Sequence, residues 1–170
     1  MGQSETLNKG LRLAKGGYIA RMDQDDISMP ERLKKQFEFM ENNSDVDVCG
    51  SWLQLMGKYN GILELETKSE KIKMNLLTNE NLAHPTVMIR KRTLVKYDLN
   101  YNPAYSVAQD YDLWVRMFEF CSFANIPEAL IKYRMHDNQN SKILGKHNQT
   151  ETNKVLMNLL KRIGIQPTNS

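Results

Sequence analysis

Tyr18-Ile19-Ala20-Arg21-Met22-Asp23-Gln24-Asp25-Asp26 is the stretch around which the rest of the chain is read. Tyr18, Ile19 and Ala20 have the composition of a buried strand end, entered through Gly16-Gly17 and continued by Met22. Three carboxylates, Asp23, Asp25 and Asp26, then follow within four positions. Side chains alternate along an extended chain, so Asp23 and Asp25 are expected on one side. Carboxylates that close repel one another, and a hard divalent cation converts the repulsion into binding. Mg2+ takes one or two protein carboxylates and fills its shell with water and phosphate oxygens. The plainer reading is a solvated acidic turn before a helix. An EF-hand is excluded: counted from Asp23, the sixth position is Ser28 where that loop needs Gly, and the twelfth is Lys34 where it needs Glu.

The 170 residues suffice for one domain with a core, and 41% hydrophobic with 25% charged residues is ordinary for a globular chain. No apolar run reaches the length of a membrane-spanning helix, and the start, Met-Gly-Gln-Ser-Glu-Thr, lacks a signal-peptide core. Cys49 and Cys121 lack metal-ligand spacing and are expected as reduced core residues of a cytoplasmic protein. The net charge of +3 is uneven: Lys132 to Ser170 holds seven Lys/Arg against two Asp/Glu. A basic tail fits an anionic partner, membrane surface or nucleic acid, and fits a plain solvated surface equally well.

Outward from the acidic stretch, periodicity gives alternating helices and strands. Ser4 to Lys15 is expected as a helix capped by Ser4, with Leu7, Leu11 and Ala14 on one face. No strand precedes it, although a parallel sheet needs one on each side of a crossover helix. Ser28 and Glu31 have capping-box spacing, so Pro30 to Glu41 is expected as a helix burying Leu33, Phe37 and Met40. Strands are expected at Val46 to Met56, Ile62 to Leu65, Val87 to Ile89 and Ala129 to Met135. Helices are expected at Thr67 to Thr78, at Lys91 to Asp98 and at Asn148 to Gly164. The last carries Val155, Leu156, Leu159, Leu160 and Ile163 on one face, with Lys154, Lys161 and Arg162 off it. That pattern fits a membrane-interfacial helix and fits packing against the domain equally well.

A second informative stretch is Gln109-Asp110-Tyr111-Asp112-Leu113-Trp114. Leu113, Trp114, Met117 and Cys121 form an inward helical stripe, and Asp110 falls on it at the first turn. A buried-face carboxylate is either a helix cap or a general base held in a pocket. Asp112 is expected in solvent. His84, held extended by Pro85 before a buried strand, is either structural or functional. The same choice attaches to Arg134 and His136 at a strand end, where Arg suits phosphate and His suits Mn2+.

Taken together, Leu7-Asn8-Lys9-Gly10 through Asp26, Met29-Pro30-Glu31-Arg32-Leu33, His84-Pro85-Thr86-Val87-Met88, Gln109 to Trp114 and Tyr133-Arg134-Met135-His136 resemble, in order, motifs of the family 2 glycosyltransferases. The resemblance implies an α/β fold: a partial GT-A, Rossmann-like mixed sheet flanked by helices. It implies the C-terminal part of such a domain over 1–147, with an amphipathic helix and tail over 148–170. It implies an inverting, metal-dependent transfer of a sugar from a nucleotide-diphospho-sugar to a hydroxyl on a sugar or lipid-linked acceptor, in cell-surface polysaccharide or glycan synthesis. Carried over by motif, Asp110 is the base. Asp25, with Asp23 and His136, holds Mn2+ or Mg2+. Asp23, Arg134 and His84 contact the donor. The place implied is the cytoplasm, at the inner face of the membrane, with no nucleic acid.

Two departures stand out. Gln109 replaces an expected Glu, and the family's N-terminal, nucleoside-binding half is absent, which predicts self-association and weak activity of the chain alone. A non-catalytic remnant or interaction module and a metal-dependent nucleotidyltransferase are the alternatives.

Overall fold

The computed structural model describes residues 2–78, 82–135 and 145–166, with the backbone alone for 145–148. Helix α1 (Gln3–Leu13) leads into strand β1 (Tyr18–Ala20), and a turn then precedes the two-residue strand β2 (Ile27–Ser28). Helix α2 (Arg32–Asn42), the long strand β3 (Val48–Gly57), strand β4 (Gly61–Leu63) and helix α3 (Ser69–Leu76) follow. A 3-10 turn at His84–Thr86 enters β5 (Met88–Arg90), then α4 (Lys91–Lys96), α5 (Gln109–Met117), β6 (Phe123–Met135) and α6 (Gly145–Arg162).

The strands form one mixed sheet in the order β1-β5-β3-β6-β2, with β4 hairpinned onto β3. Only β3 and β6 run parallel; the other pairs are antiparallel. The fold class read from the sequence therefore holds, as a mixed sheet flanked by helices. The hairpin turn needs Gly57, whose φ of +100° lies where a side chain is strained. Among the described residues β1 is an edge strand, with β5 on one side only.

Strand alternation divides the core. Ile19, Val48, Ile89 and Phe123 point to the larger cluster, which α5 fills with Leu113, Trp114 and Met117. Tyr18, Cys49, Met88 and Ala124 point to a smaller cluster closed by Met40 of α2. Cys49 and Cys121 are both free and buried, as expected. Val155 and Leu159 of α6 are fully buried in the larger cluster, so of the two readings of that helix, packing against the domain is the one realised. Among the described residues no helix is long and apolar enough to cross a membrane.

Three local expectations fail. Ser4 does not cap α1; its hydroxyl donates to the Tyr105 carbonyl at 3.1 Å. Ser28 belongs to β2 and caps nothing, because pairing of β2 with Lys132 and Ile131 claims that segment. The buried face of α2 is Arg32, Gln36 and Met40, while Leu33 and Phe37 are about half exposed. The polar stripe is satisfied inside. Gln36 Nε2 donates to the carbonyls of Cys49 (3.1 Å) and Thr86 (2.8 Å), and Arg32 donates to Gln36 Oε1 (2.9 Å) and the Arg21 carbonyl (2.6 Å). A hydrogen-bonded buried Gln outcompetes a Phe there, because the strand and turn carbonyls beneath it would otherwise lose a donor.

Candidate active site

The acidic stretch lies where β1 ends. The extended chain stops at Ala20, and Gln24 and Asp25 form a turn, so Asp23 and Asp25 are not related by strand alternation as expected. Alternation instead joins Arg21 to Asp23: the buried Arg21 guanidinium makes a two-pronged pair with that carboxylate, one arm at 2.7 Å. Asp26 is the most buried of the three. Its Oδ1 accepts the Arg134 backbone N–H at 2.9 Å, and its Oδ2 is buried without a hydrogen-bond partner. Burial pushes the Asp26 carboxyl up to about 6; the Arg134 N–H opposes this, and the charges of Asp23 and Asp25 add to it.

Arg134 is brought to this cluster as expected. Its Nε donates to the Asp25 carbonyl at 2.9 Å, tying the end of β6 to the acidic turn. His136 lies outside the described residues.

Asp110 sits in the first turn of α5 on its inward stripe, with 22% of its side chain exposed. Its Oδ1 accepts the Tyr111 N–H at 2.8 Å, and burial raises its pKa above the usual carboxylate value despite that bond and the nearby Arg21 charge. The Asp23 charge raises it further, so base candidate and acidic turn share one end of the sheet. Asp112 contradicts its expectation. It is buried and paired with Arg116, Nε to Oδ2 at 2.9 Å, because α6 covers the side of α5 that would otherwise face water.

His84 is only 6% exposed and does not line an open surface. Its Nε2 lies 2.8 Å from the Tyr101 hydroxyl, and its Nδ1 lies 3.9 Å from Asp110 Oδ2. Burial, with Arg21 nearby, drives its pKa well below 6.5, so the ring is neutral. The two ring nitrogens of His84 therefore face Tyr101 and Asp110.

Sequence reasoning missed Arg21, Tyr101 and Glu151. Arg21 had a signal, two positions before an Asp on one strand face. Tyr101 had none. Glu151 comes from α6, and its carboxylate accepts the N–H groups of Ser106, Val107 and Ala108 at 2.9–3.1 Å, just before Asp110.

Among the described residues no three His, Cys, Asp or Glu side chains stand close enough to cage a metal ion. Hard oxygen donors and the partnerless Asp26 Oδ2 fit a cation that takes one or two carboxylates. Arg21 occupies both oxygens of Asp23, so a cation at Asp23 would compete with that pair. Two surface grooves of about 580 and 430 Å3 flank β1, one beside Tyr18 and Arg90, the other between α1 and α4; neither contains Asp110, Asp23 or Asp25.

Residues 1–99 match the family model described as glycosyl transferase family 2. The uncharacterized glycosyltransferase MJ1057 of Methanocaldococcus jannaschii is 38% identical over 146 residues, 82% of this chain and 49% of that protein. The O-antigen biosynthesis glycosyltransferase WbnJ of Escherichia coli is 35% identical, over 82% of this chain and 56% of WbnJ. The chain thus spans about half the length of these relatives. In structure it is similar to residues 1–349 of S. aureus TarS in complex with UDP, with a TM-score of 0.70, 16% identity, and 98% and 47% of the two chains covered. Glucosyl-3-phosphoglycerate synthase of Mycobacterium tuberculosis, solved with Mn2+, UDP-glucose and phosphoglyceric acid, gives 0.60 at 17% identity, covering 98% and 57%.

Proposed function

This chain belongs to glycosyl transferase family 2, and on that premise we propose that it forms the diphosphate and acceptor side of an inverting glycosyltransferase acting on a nucleotide-diphospho-sugar. The observation that carries the reading is the placement of Asp110, a partly buried carboxylate at a helix start, at the same sheet end as the Asp23–Asp26 turn. The acceptor hydroxyl oxygen attacks the anomeric carbon. A new C–O bond forms as the bond to the diphosphate breaks, and the hydroxyl proton passes to Asp110 as the oxygen becomes positive. Desolvation favours this role, because a raised pKa makes the carboxylate a stronger base.

Charge builds on the departing diphosphate. Arg134 at the acidic turn supplies fixed positive charge there. Asp25 would hold Mn2+ or Mg2+, whose chemistry when bound is to neutralise that charge. The solved complexes of TarS with UDP and of the mycobacterial synthase with Mn2+ and UDP-glucose support a donor of this class. The relatives named for O-antigen and amylovoran biosynthesis support a polysaccharide acceptor. A site at the inner face of the cell membrane belongs to the same reading, supported by Lys154 and Lys161 on the exposed side of α6.

The test separates the two carboxylates. Calorimetric titration with UDP should show Mn2+-dependent affinity that Asp25→Ala loses and Asp110→Asn keeps, while Asp110→Asn loses transfer. Equal Mn2+-dependent affinity in the parent and Asp25→Ala would overturn the metal assignment, and retained transfer in Asp110→Asn would overturn the base.

A further inference from the structure

We propose that Tyr101 and His84 are a positioning pair for Asp110, in which the phenol hydroxyl donates to His84 Nε2 while the ring proton sits on Nδ1, facing the carboxylate. The functional part of this inference rests on the reading of Asp110 as the base; the tautomer itself does not.

Four segments converge to build the pair. His84 comes from the 3-10 turn before β5, Tyr101 from the loop after α4, and Asp110 from the start of α5. The fourth is α1, whose Asn8 clamps the Tyr101 backbone: Nδ2 donates to the Tyr101 carbonyl at 2.7 Å, and Oδ1 accepts the Tyr101 N–H at 2.8 Å. The phenol is thereby fixed from its own backbone outward, and it is 2% exposed.

The proton positions follow from the chemistry of the two rings. A neutral imidazole has one N–H and one acceptor nitrogen. The phenol keeps its proton, since burial pushes its pKa well above 10, and it can donate or accept. With the proton on Nε2, the ring would donate to the phenol and turn the Nδ1 lone pair toward Asp110 Oδ2, 3.9 Å away. That sets a lone pair against an anion in a water-poor site, where such repulsion is strong. With the proton on Nδ1, Nε2 accepts from Tyr101 at 2.8 Å and an N–H dipole faces the carboxylate. The second arrangement satisfies both contacts. The ring is packed by Tyr101 (centroids 5.4 Å) and by the edge of Trp114 (6.0 Å), which hold its plane.

The consequence for Asp110 is orientation. Oδ1 is tied to the Tyr111 N–H, and Oδ2 stands over the Nδ1 proton at a distance longer than a hydrogen bond. One oxygen is thus aimed without being saturated, and it stays able to take a proton from an acceptor hydroxyl, with the contact to His84 tightening as substrate binds. Neither His84 nor Tyr101 touches substrate in this arrangement, so both act through Asp110.

Nitrogen-15 NMR of the histidine rings reads the tautomer directly, in the whole chain and without any substrate. The chain has three histidines, and His84→Gln identifies the His84 signal by its loss. At about pH 7 the parent should show a neutral His84 with the proton on Nδ1. Tyr101→Phe keeps the buried ring and removes only the hydroxyl; Asp110 still faces Nδ1, so the proton should stay there while the Nε2 resonance shifts as its hydrogen bond is lost. A parent with the proton on Nε2, a charged ring, or an Nε2 resonance that Tyr101→Phe leaves unmoved would each overturn the inference. A Tyr101→Phe protein that fails to fold leaves the parent spectrum to decide. In transfer assays Tyr101→Phe should lower kcat about tenfold with the donor KM unchanged, a part of what a general base supplies. An unchanged kcat beside a lost Nε2 hydrogen bond would overturn the positioning role. Absent transfer in the parent would instead sink the transferase reading and leave the tautomer result standing.

Discussion

Removing the charge of Glu151 tests whether α6 governs the helix that carries Asp110. Glu151 is 6% exposed and presents two oxygens to the turn before α5. Oε2 accepts from Ser106 N (2.9 Å), Val107 N (2.9 Å) and Ala108 N (3.1 Å), and Oε1 accepts from Ser106 N (3.0 Å) and Ser106 Oγ (2.9 Å). In Glu151→Gln, the best placement keeps the amide oxygen on the three N–H groups and turns the amide nitrogen toward the serine hydroxyl. Geometry survives and charge is lost. A hydrogen bond to a charged group contributes about 1 kcal/mol more than a neutral one, and proximity to the positive end of α5 adds about 0.5 kcal/mol. Allowing for strong coupling among donors that share one acceptor, the cost is about 2 kcal/mol, or a fall of roughly 4–8 °C in Tm for a chain of this size. Glu151→Ala removes the acceptor altogether and should cost about twice as much.

The pH dependence has a definite sign. Burial alone would raise the Glu151 pKa, but the N–H donors of Val107, Ser106 and Ala108 outweigh it and hold the folded value below that of a free glutamate. The stabilisation is therefore present above the unfolded pKa and is lost as pH falls through the folded value. Differential scanning calorimetry at about pH 7 and below pH 4 checks both points, with the exposed Glu38→Gln as control. A Glu151→Gln Tm within about 1 °C of the parent at neutral pH, or a difference that persists unchanged into acid, would refute the reasoning.

Gln36→Leu strips a donor from two buried carbonyls and an acceptor from Arg32, so it should cost about 3 kcal/mol by urea unfolding. Leu33→Ser, on the exposed face of the same helix, should change stability by less than about 0.5 kcal/mol; the reverse ranking would show that α2 is rotated. Asp26→Asn tests the buried carboxyl of the acidic turn in metal-free buffer. Its folded pKa of about 6 lies above the ordinary 3.8, so folding favours the protonated form. Its contribution is fully present below the unfolded value and is lost as pH rises through about 6. The Asn variant, permanently neutral, should therefore gain up to about 3 kcal/mol over the parent at pH 7 and nothing below about pH 4. Parallel stability curves across that range would sink the assignment.

The sequence by itself determined whatever short-range periodicity and local chemistry can write. The stripe of Leu113, Trp114, Met117 and Cys121 gave α5, its buried face and the place of Asp110 on it, because three- and four-residue spacing is a property of one helix. The strand over Tyr18–Ala20 was legible from its local composition, although it was expected to run on through Met22. Tertiary structure decided what depends on partners distant in sequence. Strand β2 is two residues long and exists through its pairing with Ile131 and Lys132. The expected strand began at Ala129, whereas β6 begins at Phe123 and passes Pro127 in an irregular stretch, where the partners of Ser51 and Trp52 jump from Ile126 to Ala129. A bulge accommodates a proline that lacks an N–H, and only the facing strand reveals it.

The face of α2 was misread locally. Apolar spacing pointed to Leu33-Phe37-Met40 as the inward row, and the carbonyls of Cys49 and Thr86 chose the polar row Arg32-Gln36-Met40 instead. Asp112 was buried by α6, and His84 was turned into a partner of Asp110 by a tyrosine 17 residues away that α1 holds in place. The physical reason is common to all three. A side chain's own neighbours fix its direction relative to the local backbone, but whether that direction meets solvent, a carbonyl or a carboxylate depends on which distant segment packs there.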